Sequence, residues 1–338
     1  MSKRIAAFGE VMMRLQVPGY ESLAQSSTLR YSFSGTGVNV TSALAQLGHK
    51  GYLVSTLPTN AIGDAAMSYI QKLGIIPSFI TRSGDSLGMY FLENGFGVRP
   101  SRVTYCNRQA SSFNTAHAEA YNFEDIARDI DIAHFCGITL AMNDNVRSQM
   151  KAFAHAVKRN GGQVVFDCNY RPSLWGEDGY TKAKPHYEEM LDLADIVMMN
   201  EKDARFILGM ETTKEDRKEQ LMELIPLVAE KYNISVIAGT HRSIGGNNTH
   251  SLVGFLFKDR SFSFSEKMTF SVFDRIGAGD AYTSGIIYGE TKGFSPNKTV
   301  AFAVAAGMLA HTVSGDTPTS SENDILLAMT NEAGDVER

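Results

Sequence analysis

The sequence predicts an α/β fold, a mostly parallel β-sheet covered by helices, carrying a small β appendage. Short apolar or β-branched runs alternate with longer stretches of helical pattern, which is the signature of a layered α/β body. The 338 residues, 43% hydrophobic and 20% charged, suffice to bury a large core without disulfides or structural metals. Two stretches break the rhythm with polar and apolar alternation punctuated by turn residues, and these predict the appendage.

In chain order the strand-like runs are RIAAFGEV, YLVSTL, DIAHFCGI, QVVFDCNY, DIVMMN and ISVIAGT. Their near-continuous apolar character suits strands buried on both faces. Helical patterns fall at 38–48, 62–74, 143–160, 180–194, 214–232, 278–291 and 297–312. The interrupting stretches, about 12–34 and 86–112, read as antiparallel strands inserted twice into one body that spans 1–338. They form either a lid that closes over a site and excludes water or a surface hairpin layer that stabilises a dimer or nothing at all. The C-terminal SSENDILLAMTNEAGDVER reads as one helix followed by a frayed acidic tail.

Charge and composition exclude several classes. A net charge of −5 without a Lys/Arg run longer than two residues removes the footprint of a nucleic-acid binder. The opening MSKRIAAFGEVMMRL has no sustained apolar segment or small-residue cleavage site, and no apolar run is long enough to span a bilayer, so no membrane partner and a cytoplasmic location are expected. Cys106, Cys136 and Cys168 are widely separated and predict buried, inert thiols in a reducing compartment. The histidines form no HExxH or Cys/His cluster, so zinc is unsupported.

Four loops carry the candidate chemistry, because ligands of open α/β sheets bind where strands end and helices begin. In FDRIGAGDAYTSG the residues Gly277, Ala278 and Gly279 precede a helix, so consecutive N–H groups can line an anion site. Asp280 then either caps the helix or takes the proton of a hydroxyl attacking a phosphate. SGTGVNVTSALAQLG lacks the third glycine of a dinucleotide fingerprint but allows close approach at Gly35 and Gly37, with the Asn39 amide facing the same loop. FDCNYRPSLW ends a strand and presents Asn169 and Arg171, the latter either a surface ion-pair partner or a two-pronged anion donor. In MMNEKDARF the spacing of Asn200 and Asp203 serves either a helix cap or two oxygens reaching magnesium-bound water.

Together the GTGVN loop, the β excursions, NYR, the asparagine motif, GAGD and the final SGD resemble, in order and over nearly the whole chain, the PfkB (ribokinase-like) family of carbohydrate kinases. The resemblance implies a ribokinase-like three-layer α/β/α sandwich with a β-sheet lid. It implies Asp280 as catalytic base, an anion hole at Gly277, Ala278 and Gly279, ATP with Mg2+, and a metal held through water by Asn200 and Asp203. A monovalent cation is a further cofactor that the resemblance leaves open. Asp203 stands where the family has glutamate, and Arg275 where a small residue or proline is usual. The stretch 237–254 occupies the nucleotide-loop position without the usual Gly-x-x-Gly turn, and makes Thr240 an ATP contact.

Within the family, GEVMMRL, NYRPSLW and HTVSGD look most like 2-keto-3-deoxygluconate kinases. That likeness implies that Gly35, Tyr90, Tyr105, Arg108, Arg171 and Asp316 contact a sugar acid, beside the Asn39 amide that the loop itself offers a polyhydroxylated ligand, and it leaves a homo-oligomer through the lid open. The alternatives are fructokinase, ribokinase or 5-keto-2-deoxygluconate kinase, or a catalytically silent sugar sensor.

Overall fold

The computed structural model describes residues 2–245 and 249–330; the expected acidic tail and the tip of the expected nucleotide loop, 246–248, lie outside the described residues. The first third holds β1 (Arg4–Phe8), β2 (Met12–Gln16), β3 (Arg30–Ser34), α1 (Thr36–Gln46), β4 (Lys50–Leu57), α2 (Ala61–Lys72), β5 (Ile80–Arg82), β6 (Gly88–Glu93) and β7 (Arg102–Cys106). There follow α3 (Phe123–Arg128), β8 (Ile132–Cys136), α4 (Gly137–Leu140), α5 (Asp144–Arg159), β9 (Gln163–Asp167), α6 (Pro172–Trp175), α7 (Gly179–Leu193), β10 (Ile196–Met198) and α8 (Arg217–Lys231). The chain ends with β11 (Val236–Ile244), β12 (Thr249–Lys258), β13 (Ser261–Phe264), β14 (Met268–Ser271), α9 (Ala278–Lys292), α10 (Pro296–Ala310) and α11 (Glu322–Ala328).

The large sheet runs β13-β12-β11-β10-β9-β8-β1-β4-β5, with β14 beside β12. From β11 to β5 every pairing is parallel, and only β12 runs the other way, pairing antiparallel with β11, β13 and β14. The period-2 pleat sorts side chains to two faces. Ala6, Phe8, Phe135 and Phe166 pack with α5, α7 and α8 on one side. Ile5, Ile132 and Val165 pack with α1, α9 and α10 on the other. The result is the α/β/α sandwich. Strand order reverses direction between β1 and β8, the topological point where a crevice opens at the strands' carboxyl ends.

The two interruptions form a second sheet, ordered β3-β2-β6-β7. The expectation of antiparallel strands holds within each hairpin, β2 with β3 and β6 with β7. It fails at the joint, where β2 and β6 pair in parallel because each excursion leaves the body in the same direction. The thiols differ from expectation in one place. Cys136 and Cys168 are buried at strand ends of the core, but Cys106 is exposed because it sits on β7, the edge strand of the small sheet.

Helices α9 and α10 pack closely because Gly285 lets α9 touch the α10 backbone. A Cβ on Gly285 would lie 2.5 Å from Ala303 Cα. Gly285→Ala is expected to destabilise the protein by about 1–3 kcal/mol, since the neighbour is backbone and cannot rotate aside; urea unfolding measures it.

Candidate active site

A cavity of about 880 Å³ lies at the carboxyl ends of β9, β10 and β11. The first turns of α1 and α9 and the small sheet's Met12, Tyr90 and Tyr105 close its other walls. Of the residues singled out from the sequence, Gly35, Asn39, Tyr90, Tyr105, Arg171, Asn200, Asp203, Thr240, Gly277, Ala278, Gly279, Asp280 and Asp316 all line it.

The turn before α9 is shaped by steric necessity. Gly277 has φ +83°, and a Cβ there would come within 1.8 Å of the Asp316 carbonyl oxygen. Only glycine fits. A Cβ on Gly279 would meet no protein atom within 4 Å, so that position faces open cavity and leaves room for a ligand to approach the backbone. The N–H groups of the first helical turn have no i−4 acceptor and carry the positive end of the helix dipole.

Asp280 is buried in that first turn, and α9 has no side-chain cap. Its Oδ2 accepts a hydrogen bond from Asn39 Nδ2 at 2.7 Å instead. Of the two readings open in the sequence, capping is therefore not what the carboxylate does. Asn39 is correspondingly committed: its amide nitrogen holds Asp280, and its Oδ1 lies 3.5 Å from Thr317 Oγ1. Burial pushes the Asp280 carboxyl up to about 6, against the opposing pull of Asn39 and Arg171.

Two more carboxylates face the same space. Asp167, at the end of β9, is pushed up to about 7, by burial first and then by the charges of Asp280 and Asp203. Asp203 is pushed up to about 6, chiefly by burial. Its Oδ2 accepts from Asn200 N–H at 2.8 Å, while Asn200 Oδ1 accepts from Lys202 N–H at 2.9 Å. This is the cap arrangement that the three-residue spacing allowed, and both side chains also line the cavity.

Arg108 is the main correction. It is not part of the cavity wall. Glu10 is buried just after β1, and Arg108 Nε reaches its Oε2 at 2.7 Å. The buried acid requires a counter-charge, and Arg108, stacked behind the Tyr105 ring at 4.8 Å, supplies it. Arg171, by contrast, is exposed on the cavity wall without a carboxylate partner among the described residues.

Sequence reasoning missed Asp167, Arg14 and Asp274. Asp167 stood within FDCNY, and its place at a strand end was the available signal. Arg14 and Asp274 gave none, because an arginine in a short strand and an aspartate before a turn are ordinarily solvent-facing. Here Arg14, within the small sheet, is buried and ion-paired with both Asp274 and Asp316, and Asp316 also accepts from the Tyr90 hydroxyl.

The sequence pattern of the pfkB family carbohydrate kinases matches residues 2–241 and 248–323. The chain belongs to this family. As a pfkB carbohydrate kinase it superposes on a candidate 2-keto-3-deoxygluconate kinase from Enterococcus faecalis with TM-score 0.95 at 37% identity, covering 100% of this chain and 99% of that one. It superposes on the 2-dehydro-3-deoxygluconokinase of Thermotoga maritima with TM-score 0.93 at 30% identity, over 98% and 99% of the two chains. In sequence it is 24% identical to a 2-dehydro-3-deoxygalactonokinase of Haloferax volcanii, over 94% of this chain and 93% of that protein. Among the described residues no helix is long and apolar enough to cross a membrane.

The three carboxyls give a pH prediction. The folded protein keeps protons on Asp167, Asp203 and Asp280 up to about 6 or 7, whereas the unfolded chain releases them near 3.8. The native state therefore binds more protons in that window, and stability falls as pH rises through it. Asp167→Asn should raise Tm by about 2–4 °C near pH 8, with the gain shrinking towards pH 4; calorimetry across pH checks it.

Proposed function

We propose that this carbohydrate kinase transfers the γ-phosphoryl group of ATP to the terminal hydroxyl of 2-keto-3-deoxygluconate. The observation that carries the reading is the buried Asp280 carboxylate beside a glycine turn that leaves space for a phosphate. The acceptor is supported by the relatives named for this activity and by the cavity's own chemistry: Tyr90 and Tyr105 offer a polyol hydroxyls and ring faces, and unpaired Arg171 suits a carboxylate. With Arg108 held by Glu10, the carboxylate-binding role falls to Arg171.

In the proposed reaction the acceptor oxygen attacks the γ-phosphorus as its proton passes to Asp280. The bridging P–O bond to the β-phosphate breaks, and ADP leaves with the electron pair. The raised carboxyl makes Asp280 a stronger base than an ordinary aspartate, and Asn39 fixes the rotamer that presents it. The N–H groups of Gly277, Ala278 and Gly279 stabilise charge on the transferring oxygens. Asn200 and Thr240 sit where they would meet the nucleotide.

Magnesium, when bound, neutralises phosphate charge. Among the described residues no three His, Cys, Asp or Glu side chains stand together as a direct cage. The oxygens of Asn200 and Asp203 instead fit a hydrated ion, and the mutually repelling acids suit a cation nearby. The small sheet serves as a lid that excludes water. Its exposed Leu29, Tyr31, Phe96 and Val98 support association with a second copy. A nucleotide donor and unpaired thiols suit the cytoplasm.

ADP release measured against sugar acids and neutral sugars should give the highest kcat/KM for 2-keto-3-deoxygluconate; activity confined to fructose or ribose overturns the acceptor. Asp280→Asn should lower kcat by about 10²–10⁴-fold while ADP binding persists, and near-wild-type turnover removes Asp280 as base.

A further inference from the structure

Beside the α9 turn the cavity wall carries two arginines that the reaction described above does not use. Arg242 projects from β11 on the same face as Thr240, two residues away, and Arg275 stands two residues before Gly277. Neither guanidinium has a hydrogen-bond or ion-pair partner among the described residues. The cavity's acids form no ion pair with them: Asp203 is tied to Asn200, Asp280 to Asn39, and Asp316 to Arg14.

The two charges lie close enough to act on each other. Burial, then the neighbouring Arg275 charge, lower the proton affinity of Arg242. Behind them sit His250 and His311, buried, with ring centroids 6.3 Å apart. His311 Nδ1 is 2.7 Å from the Gly307 carbonyl oxygen, and its Nε2 is buried without a partner while the residue lines the cavity. Burial and the arginine charges push His311 down to about 4, so it is neutral near pH 7 and donates through Nδ1. Among the described residues no acid is among the charges acting on either histidine. Two formal positive charges beside a helix N-terminus therefore face an open cavity without a counter-ion.

Like charges left together in a partly buried wall are unfavourable unless an anion joins them. Two planar donors, each able to present paired N–H groups, match the oxygens of successive phosphates. We propose that Arg242 and Arg275 form a cationic clamp on the polyphosphate chain of the phosphoryl donor, adding side-chain charge to the N–H groups of the α9 turn. The proposal rests on the kinase reading above for the identity of the donor. The chemistry recognised is a chain of phosphates, whether on a nucleoside or free.

Isothermal titration of the full-length chain with ADP, inorganic tripolyphosphate and adenosine tests it. Arg242→Gln and Arg275→Gln should each weaken ADP and tripolyphosphate about 10- to 100-fold and leave adenosine affinity unchanged. Arg275→Lys should recover only part of the loss, because one ammonium cannot reproduce the fork. Arg275 is exposed, so its variants retain the fold and decide the matter should Arg242→Gln unfold.

Where those losses are found, tighter binding of ADP than of tripolyphosphate by the wild type assigns a nucleotide donor to the clamp, and the reverse assigns free polyphosphate. Unchanged ADP affinity in the Gln variants, or equal losses for ADP and adenosine, overturns it even if the enzyme phosphorylates sugar acids. Arginine-dependent ADP binding by a protein that phosphorylates no sugar upholds the clamp and overturns the kinase reading. A wild-type chain that binds neither phosphate compound overturns both.

Discussion

One buried guanidinium joins the halves of this site. Arg14 belongs to the small sheet, but its two carboxylate partners, Asp274 and Asp316, come from loops of the large body. Asp274 also accepts from the N–H groups of Ile276 and Gly315, each at 3.2 Å, which fixes the chain on both sides of the cavity. The carbonyl of Asp316 is the wall against which Gly277 must lack a side chain. A single cation thus sets the height of the turn that precedes Asp280. Removing one member of such a buried group leaves unpaired charge out of water, a loss of about 3–5 kcal/mol in comparable cases.

The same contact constrains how the small sheet moves. Strand β2 is pinned by Arg14, and Tyr90 on neighbouring β6 is held by Asp316 and Ser34. Among the described residues strand β7 carries no such tie to the body, and it lies at the sheet's edge, largely exposed. Closure proposed for this sheet therefore pivots near Arg14 and is greatest at β7, where Tyr105 enters the cavity wall.

The body of the fold was legible because the parallel strands are buried on both faces and read as apolar runs between helices, as QVVFD before α6 and DIVMM before Asn200 show. The GAGD turn was legible because its glycines answer local needs, a positive φ at Gly277 and an open approach at Gly279. What could not be read were contacts made across hundreds of residues. Arg14 pairs with Asp316 302 positions away, and Asn39 with Asp280 241 positions away. Arg108 shows the converse. Its type and place in the small sheet suited a sugar acid, but the buried acid that claims it, Glu10, lies 98 residues earlier and has no local signature. The parallel joint of β2 with β6 was hidden for the same reason: alternation reveals a strand, whereas its partner's direction depends on distant chain.

Asp167, Asp203 and Asp280 show why such a site is held by structure rather than by its own energetics. Burial disfavours charge on all three, and Asp167 is raised further by the other two. Acids gathered this way weaken the fold near neutral pH, while the glycines of the turn forgo side-chain packing. The compensation lies away from the reacting centre, in the aromatic and aliphatic packing on both faces of the sheet. Arg171, Arg242 and Arg275, without ion-pair partners among the described residues, present the opposite sign in the same cavity. Arg171 opposes the raised Asp167 and Asp280 through its charge alone, and no ion pair joins the two sets among the described residues, because the acids are engaged with backbone and amide donors that fix their positions. A cavity whose acids and cations are not joined in ion pairs suits the two reactants proposed above, one carrying a phosphate chain and the other a hydroxyl to be deprotonated.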